Sequence, residues 1–471
     1  MAIAWSPFLF LKRRFTTMIK FLPLGGAGEI GANCYYLNIA GTGIILDCGM
    51  HPQKTGLDSL PQFSLIENMP VDFVFISHAH QDHLMSLPFL VKQHPYIKII
   101  TSRQTRELAE LTLHNSVSIM QKELEKDNSF QAYTHEEIDL LSQTIDFKPT
   151  KNIFEIEGYQ HKSSEPIKIS FHDAGHILGS VGILIEHDEK KIFYTGDINL
   201  TDQTLLRGCE LPKEKVDTLI LECTYGATDS HEILPWAKEA ERFAAEANKI
   251  LNLGESILIP VFALGKMQEI LSAIWKLMEK NKLPKTEIYT GGIGTKINRV
   301  YDTNCYIVNM VDPEFELRNI PLHDLNEIEN PEDFFKSPCI VVASSGMMVE
   351  GTASYNLSKH WLKRSSSAIF IVGYMDESTP GYKIANAVKG GKIKLTEFSE
   401  EEIVRCAIER FKFSAHSRRE GLIEIVRRLK PEKVILVHGD ENAISWVGNQ
   451  ILKEFKDIKV YQAEIGRAIE V

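Results

Sequence analysis

Short apolar runs bounded by Gly, Asn or Asp alternate with turns through the first half of the chain. FLPLG (21–25), CYYLNI (34–39), GIILDCG (43–49) and DFVFISH (72–78) are rich in β-branched or aromatic residues, which predicts strands. Apolar positions then recur at helical spacing in LMSLPFLVKQ (84–93) and TRELAELTLHNSVSIMQKELEK (105–126). Strands return in IKISFHDAG (167–175), VGILIEH (181–187), KIFYTGD (191–197) and VDTLILEC (216–223). A mixed sheet with helices packed on its faces buries such a set. From about 227 to 396 the texture changes. Helical WAKEAERFAAEANKILN (236–252) and MQEILSAIWKLMEKN (267–281) alternate with the apolar runs SILIPVFAL (256–264), CIVVAS (339–344) and AIFIVG (368–373). Near-continuous apolar runs with helical crossovers predict a second α/β unit, its parallel sheet covered on both faces. RFKFSAH (410–416), GLIEIVRRLK (421–430) and KVILVHG (433–439) return to strand, helix, strand. The expected division is therefore an N-terminal extension (1–17), a first unit (18–226), an inserted unit (227–396) and a C-terminal completion of the first unit (397–471).

Composition narrows the class. The chain has 471 residues, 44% hydrophobic and 24% charged, with a formal charge of −11. That apolar content excludes a disordered chain, and no run approaches the ~20 apolar residues of a membrane span. The acidic balance argues against a histone-like DNA coater, yet it leaves room for a local basic groove. Lys and Arg outnumber Asp and Glu in 260–300 and 359–394, two segments suited to tracking a phosphate backbone. Seven scattered cysteines without a CxxC pair fit free thiols in a reducing, cytoplasmic setting. In residues 1–17 the apolar stretch precedes the basic KRR, the reverse of a secretory signal.

The chemistry concentrates in Ser77-His78-Ala79-His80-Gln81-Asp82-His83, directly after the apolar FVFIS. Burying these side chains unpartnered would cost on the order of 1–3 kcal/mol each, even for neutral groups. A strand end followed by a helix start lets them splay around one centre. Downstream, Asp173-Ala174-Gly175-His176-Ile177-Leu178-Gly179-Ser180, Tyr194-Thr195-Gly196-Asp197 and Leu436-Val437-His438-Gly439 each place a His or Asp at a strand end. Together these give five histidines and two aspartates, a set suited to two divalent ions bridged by carboxylate and water. Five imidazoles favour two Zn²⁺, with Mn²⁺ as the alternative. The pairs Gly25-Gly26 and Gly179-Ser180 read as tight loops.

These motifs, in this order, resemble the ligand motifs of the metallo-β-lactamase superfamily, and Asp47-Cys48-Gly49 resembles its first motif. Within it, the sequence is similar to the β-CASP nucleases over roughly residues 20–440. Leu221-Glu222-Cys223-Thr224-Tyr225-Gly226 resembles their motif A, Phe413-Ser414-Ala415-His416 motif B, and His438 stands at motif C. IPVFALGKMQE (259–269), ASSGMM (343–348) and GYMDESTPG (373–381) resemble stretches of the inserted domain. Lys266 replaces a usual Arg, TGGIGTK (290–296) diverges, and Ser417-Arg418-Arg419 follows motif B where an acidic residue is common.

The resemblance implies an αββα sandwich with an inserted α/β β-CASP domain. It implies that His78, His80 and His176 hold one metal, that Asp82, His83 and His438 hold the other, and that Asp197 bridges. Asp47 would orient ligands from behind. Water activated by the two metals would attack phosphorus, leaving a 5′-phosphate and a 3′-hydroxyl. Asp82, Glu222 and His416 would be the catalytic residues, with His416 serving the leaving oxygen and Glu222 holding its tautomer. Lys266, Ser344 and Ser345 are candidates for backbone phosphate contacts. RNA is the implied substrate and partner, since a histidine at motif C goes with RNA-acting members; a homodimer or an RNA-processing complex is the implied assembly. FSAH resembles the cleavage-and-polyadenylation endonuclease branch, whereas LGGAGEIGAN (24–33) resembles the RNase J branch, which also trims from the 5′ end. Endonuclease is the expectation, with 5′-3′ exonuclease as a further activity. The alternatives are a small-molecule hydrolase of thioesters or lactones, an inactive scaffold subunit, and a DNA-repair enzyme on the same fold.

Overall fold

Residues 19–127, 132–159 and 166–471 are described by the computed structural model, so the extension expected over 1–17 lies outside the described residues. Two seven-stranded mixed sheets face each other. One runs, neighbour to neighbour, Ile469–Glu470, Lys20–Gly25, Cys34–Ile39, Thr42–Leu46, Phe73–Phe75, Lys98–Thr101 and Ile145–Phe147. The other runs Lys459–Gln462, Lys433–Val437, Thr218–Glu222, Lys190–Tyr194, Val181–His187, Ile167–Asp173 and Ile153–Ile156. Because side chains alternate along a strand, each sheet buries one set of residues between the layers. Phe21, Tyr35, Leu37, Ile44 and Phe75 meet Ile169, Phe171, Ile183, Ile220 and Ile435 there. The opposite set supports helices. Val74 and Ile99 cluster with Leu108 and Leu113 of the helix Arg103–Asp127. Leu219, Leu221 and Leu436 cluster with Leu422, Val426 and Val447 of the helices Arg419–Leu429 and Glu441–Glu454. The result is the expected αββα sandwich.

The helix expected over 84–93 is two pieces, Gln81–Leu84 and Leu87–Gln93. Pro88 sits in the first turn of the second piece, where no N–H is needed. The break gives the Asp82–His83 turn its own direction, separate from the helix behind it.

A third sheet runs Leu322–Asp324, Glu287–Thr290, Cys339–Ala343, Ile257–Pro260, Ala368–Ile371 and Ala407–Arg410. Every pairing in it is parallel. Ile257, Ile259 and Val342 pack toward Phe243, Leu271 and Ile274 of the helices Trp236–Leu251 and Lys266–Glu279. Leu258, Val341 and Ile369 pack on the other face toward Tyr355, Trp361 and Ile384. Burial on both faces explains why these strands read as unbroken apolar runs. The inserted sheet extends past the boundary expected at 396, because Ala407–Arg410 pairs with Ala368–Ile371. The strand expected over 410–416 is therefore displaced. Pairing stops after Phe411 donates to the Ile371 carbonyl, and the next amide, Lys412, is taken by the buried Glu239 carboxylate instead. Residues 411–416 become the irregular link that returns to the sandwich. Among the described residues no helix is long and apolar enough to cross a membrane.

Candidate metal centre

The expected ligands meet at one rim of the sandwich. His78 and His80 follow the strand Phe73–Phe75, and His80 opens the helical turn that carries Asp82 and His83. His176 follows Ile167–Asp173, Asp197 follows Lys190–Tyr194, and His438 follows Lys433–Val437. Ligand atoms of His78, His80, His176 and Asp197 lie within 4.8 Å of one another, as do those of Asp82, His83 and His438. Asp197 joins the groups. Its Oδ2 is 3.5 Å from His78 Nε2 and 3.6 Å from His176 Nε2, while its Oδ1 is 3.3 Å from His83 Nε2 and 3.0 Å from His438 Nδ1.

Backbone geometry at the rim is specialised. Asp47 and His438 adopt positive φ (59° and 48°), a conformation that Asp and His tolerate better than most residues. A Cβ at Gly49 would stand 1.7 Å from the Asp82 carbonyl oxygen, so glycine lets the Asp47 turn close against the ligand turn. The Gly179-Ser180 loop has a comparable use, since the Ser180 hydroxyl accepts the amides of His176 and Ile177.

Hydrogen bonds around the rim fix the imidazoles. Ser77 Oγ gives its hydrogen to Asp47 at 2.7 Å, so His78 Nδ1, 3.0 Å away, must donate to Ser77. His176 Nδ1 donates to the Ala415 carbonyl at 2.8 Å, and His80 Nε2 faces the Leu264 carbonyl at 3.4 Å. Each outer nitrogen thus holds the proton, and each inner nitrogen presents a lone pair. The inner atoms crowd together, with His80 Nδ1 3.2 Å from His78 Nε2 and 3.1 Å from His176 Nε2. Burial pushes the pKa of all three rings down, which keeps them neutral. Converging lone pairs repel unless a cation lies between them. The buried Asp197 Oδ1 makes no well-aligned hydrogen bond among the described residues, although His438 Nδ1 and His83 Nε2 stand beside it. The donor set therefore fits metal ions, with the outer hydrogen bonds that metal-bound histidines require.

The second group is more ionic. Asp47 Oδ2 accepts from His83 Nδ1 at 2.7 Å and from the Tyr194 hydroxyl at 2.6 Å, as its expected orienting role demands. His438 Nε2 is 3.1 Å from Asp82 Oδ2. Burial opposes charge at His438, but Asp197 and Asp82 overcome it and raise the imidazole to about 10. His83 is raised against burial by Asp197, Asp82 and Asp47. Burial would raise both carboxyls, yet the imidazoles hold Asp197 and Asp82 below the usual range.

Beside the first group, His416 Nδ1 lies 3.1 Å from Glu222 Oε1. Glu222 is buried, takes amides from Ile198 and Thr224, and stands 194 positions upstream as the partner that His416 was expected to have. The His416 ring centre is 4.4 Å from that of His176. Asp197, Glu222 and His416 also fall within 4.8 Å by their ligand atoms.

The suggested phosphate contacts are placed differently. Lys266 donates to the Phe413 carbonyl and lies over the Trp236 ring at 5.4 Å. Ser345 Oγ accepts the Val349 amide, and the Ser344 carbonyl accepts the Ser354 amide. Sequence reasoning did not single out Asn33, whose Nδ2 donates to the Asp82 carbonyl at 3.0 Å and stands 3.0 Å from His83 Nε2. Its signal was the break GAN before the strand Cys34–Ile39. Tyr194, three residues before Asp197, was equally findable as a polar tip on a buried strand.

Three family profiles match consecutive parts of the chain. A metallo-beta-lactamase superfamily profile covers residues 27–252, a Beta-Casp domain profile 267–384, and a Zn-dependent metallo-hydrolase RNA specificity domain profile 402–462. The chain is 31% identical to an RNase J-like protein of Methanocaldococcus jannaschii, across 88% of this chain and 91% of that one. It is 31% identical to cleavage and polyadenylation specificity factor 73 of Drosophila melanogaster, across 96% of this chain but 65% of the relative. Identity to Endoribonuclease YSH1 of Yarrowia lipolytica is 29%, across 93% of this chain and 52% of the relative. The chain thus spans between half and two thirds of the length of these two eukaryotic relatives.

Proposed function

The chain belongs to the β-CASP family of the metallo-β-lactamase superfamily, and from that premise we propose that it is a metal-dependent ribonuclease that hydrolyses RNA phosphodiester bonds, chiefly within the strand. The observation that carries this reading is the pair of ligand groups sharing Asp197, with the His416–Glu222 pair beside the first. His78, His80, His176 and Asp197 would hold one Zn²⁺, and Asp82, His83, His438 and Asp197 the second; Mn²⁺ suits the carboxylate-rich second group as well. Bound there, the ions would supply the positive charge that polarises a phosphodiester and acidifies water.

The protein's own residues account for the remaining work. Glu222 accepts the Nδ1 proton of His416, which leaves Nε2 free to carry a proton to the leaving 3′-oxygen. Asp47, Ser77, Ala415 and Leu264 hold four ligand rings so that their inner nitrogens stay aimed inward. The near-complete burial of His78, His176, Asp197 and His438 keeps bulk water from competing for the charge. The profile over 402–462, described as an RNA specificity domain, supports RNA over a small thioester. Retention of all seven ligands argues against an inactive scaffold. Free thiols among the described residues support the cytoplasmic setting within this proposal.

The test uses one RNA labelled at its 5′ end and one at its 3′ end, with Zn²⁺ or Mn²⁺, comparing wild type with the Asp82→Ala/His83→Ala double variant. Internal fragments from the wild type alone are expected. Labelled mononucleotides would make exonuclease the principal activity. Intact RNA beside turnover of a thioester would overturn the ribonuclease reading.

A further inference from the structure

The start of the inserted helix Lys266–Glu279 and the residues just ahead of it touch the sandwich at two points and the returning link at a third. The Leu264 carbonyl, just ahead of the helix, faces metal-ligand candidate His80 at 3.4 Å. The Glu269 carboxylate accepts the amides of Thr204, Leu205 and Leu206 at 2.7, 2.8 and 3.1 Å, which pins the helix to the sandwich. Between them, the Lys266 ammonium donates to the Phe413 carbonyl and rests against the Trp236 ring. Trp236 in turn packs on Phe413, with ring centres 4.9 Å apart.

Phe413 lies in the irregular link 411–416, whose later atoms serve the site. Two residues on, the Ala415 carbonyl takes the proton of His176 Nδ1, and the next side chain is His416. No regular pairing restrains this link, since strand pairing has ended by Phe411. The half-buried Lys266 ammonium is spent on the Phe413 carbonyl and the Trp236 ring, and burial lowers its pKa to about 8 with Glu269 opposing the shift.

We propose that Lys266 is a positioning residue: by holding the Phe413 carbonyl it fixes the Ala415 carbonyl against His176 and so tunes metal affinity at the His78–His80–His176 group. The proposal rests on the metal-centre reading above. It also makes the inserted domain a working part of that centre, since the same turn carries the partner of His80. Lys266 then acts through the link, without touching RNA.

The test is stepwise zinc titration against a chromogenic chelator for the intact wild type, Lys266→Met, Lys266→Arg and His176→Ala, with thermal unfolding of each metal-free protein. Wild type is expected to bind two zinc ions. In Lys266→Met, the ion that His176→Ala loses should bind about tenfold more weakly, the lower end of what an outer partner's loss costs a metal site. The other ion and the metal-free midpoint should be unchanged, and Lys266→Arg should restore affinity. Equal affinities in wild type and Lys266→Met would overturn the proposal. So would parallel loss of both ions with a lowered metal-free midpoint, the signature of a merely structural lysine. A wild type that binds no zinc would instead overturn the metal-centre reading. Should Lys266→Met not fold, Lys266→Gln, too short to reach the carbonyl, carries the same comparison.

Discussion

The two ligand groups that share Asp197 stand side by side yet are built on opposite electrostatics. The first is three neutral imidazoles whose outer protons are given to Ser77, Leu264 and Ala415, leaving lone pairs turned on one another. The second pairs two imidazoles with Asp82 and Asp197, and there each ring is drawn toward the protonated state. Without metal, protons can satisfy the second group but nothing satisfies the first. The first group is thus a site that only a cation completes, and the second one where cation and proton compete.

Removing what the groups share should have the largest effect. Asp197→Ala deletes the carboxylate that faces both, and zinc content should fall at both groups with loss of RNA cleavage; inductively coupled plasma mass spectrometry beside the RNA assay would measure it. Retention of two ions would show that the groups are independent. His416→Ala should be milder, because His416 touches neither group as a required ligand. Cleavage should slow by roughly 10²–10⁴-fold, the range for a lost general acid, with zinc content intact. Loss of zinc in that variant would assign His416 a structural part in the first group.

Much of this contrast was legible in the chain because the ligands cluster locally or close a strand. His78, His80, Asp82 and His83 fall within one turn after an apolar run, and His176, Asp197 and His438 each terminate another. Their outer partners were less legible. The carbonyls of Leu264 and Ala415 are backbone atoms that carry no sequence signal, and they come from 184 and 239 residues away. Lys266 shows the same limit from the other side. A lysine after Gly265 reads as a phosphate contact, and only the returning link at Phe413 shows that its charge is used internally. The end of the inserted sheet was misplaced because Ala407–Arg410 has only half-buried and exposed positions, which leaves no clear apolar run at that edge.

The smallest effect is one of pH, and it separates the two groups by sign. In the metal-free protein, burial lowers His78, His80 and His176 below their unfolded value of 6.5, so the unfolded chain binds more protons and stability falls as pH drops through 6.5. His438 is raised from 6.5 to about 10 by Asp197 and Asp82 against burial. Its contribution is therefore complete below pH 6.5 and is lost as pH rises toward 10, and His83 adds to the same trend. The thermal midpoint of the metal-free protein should accordingly peak near pH 6.5 and decline on both sides. Loading with zinc should flatten the alkaline limb, because a coordinated imidazole is already deprotonated and has no proton left to lose. Midpoints of the metal-free protein measured from pH 5 to 9 test both limbs. A flat alkaline limb without metal would mean that Asp82 and Asp197 do not hold protons on His83 and His438, and the contrast between the groups would fail on that side.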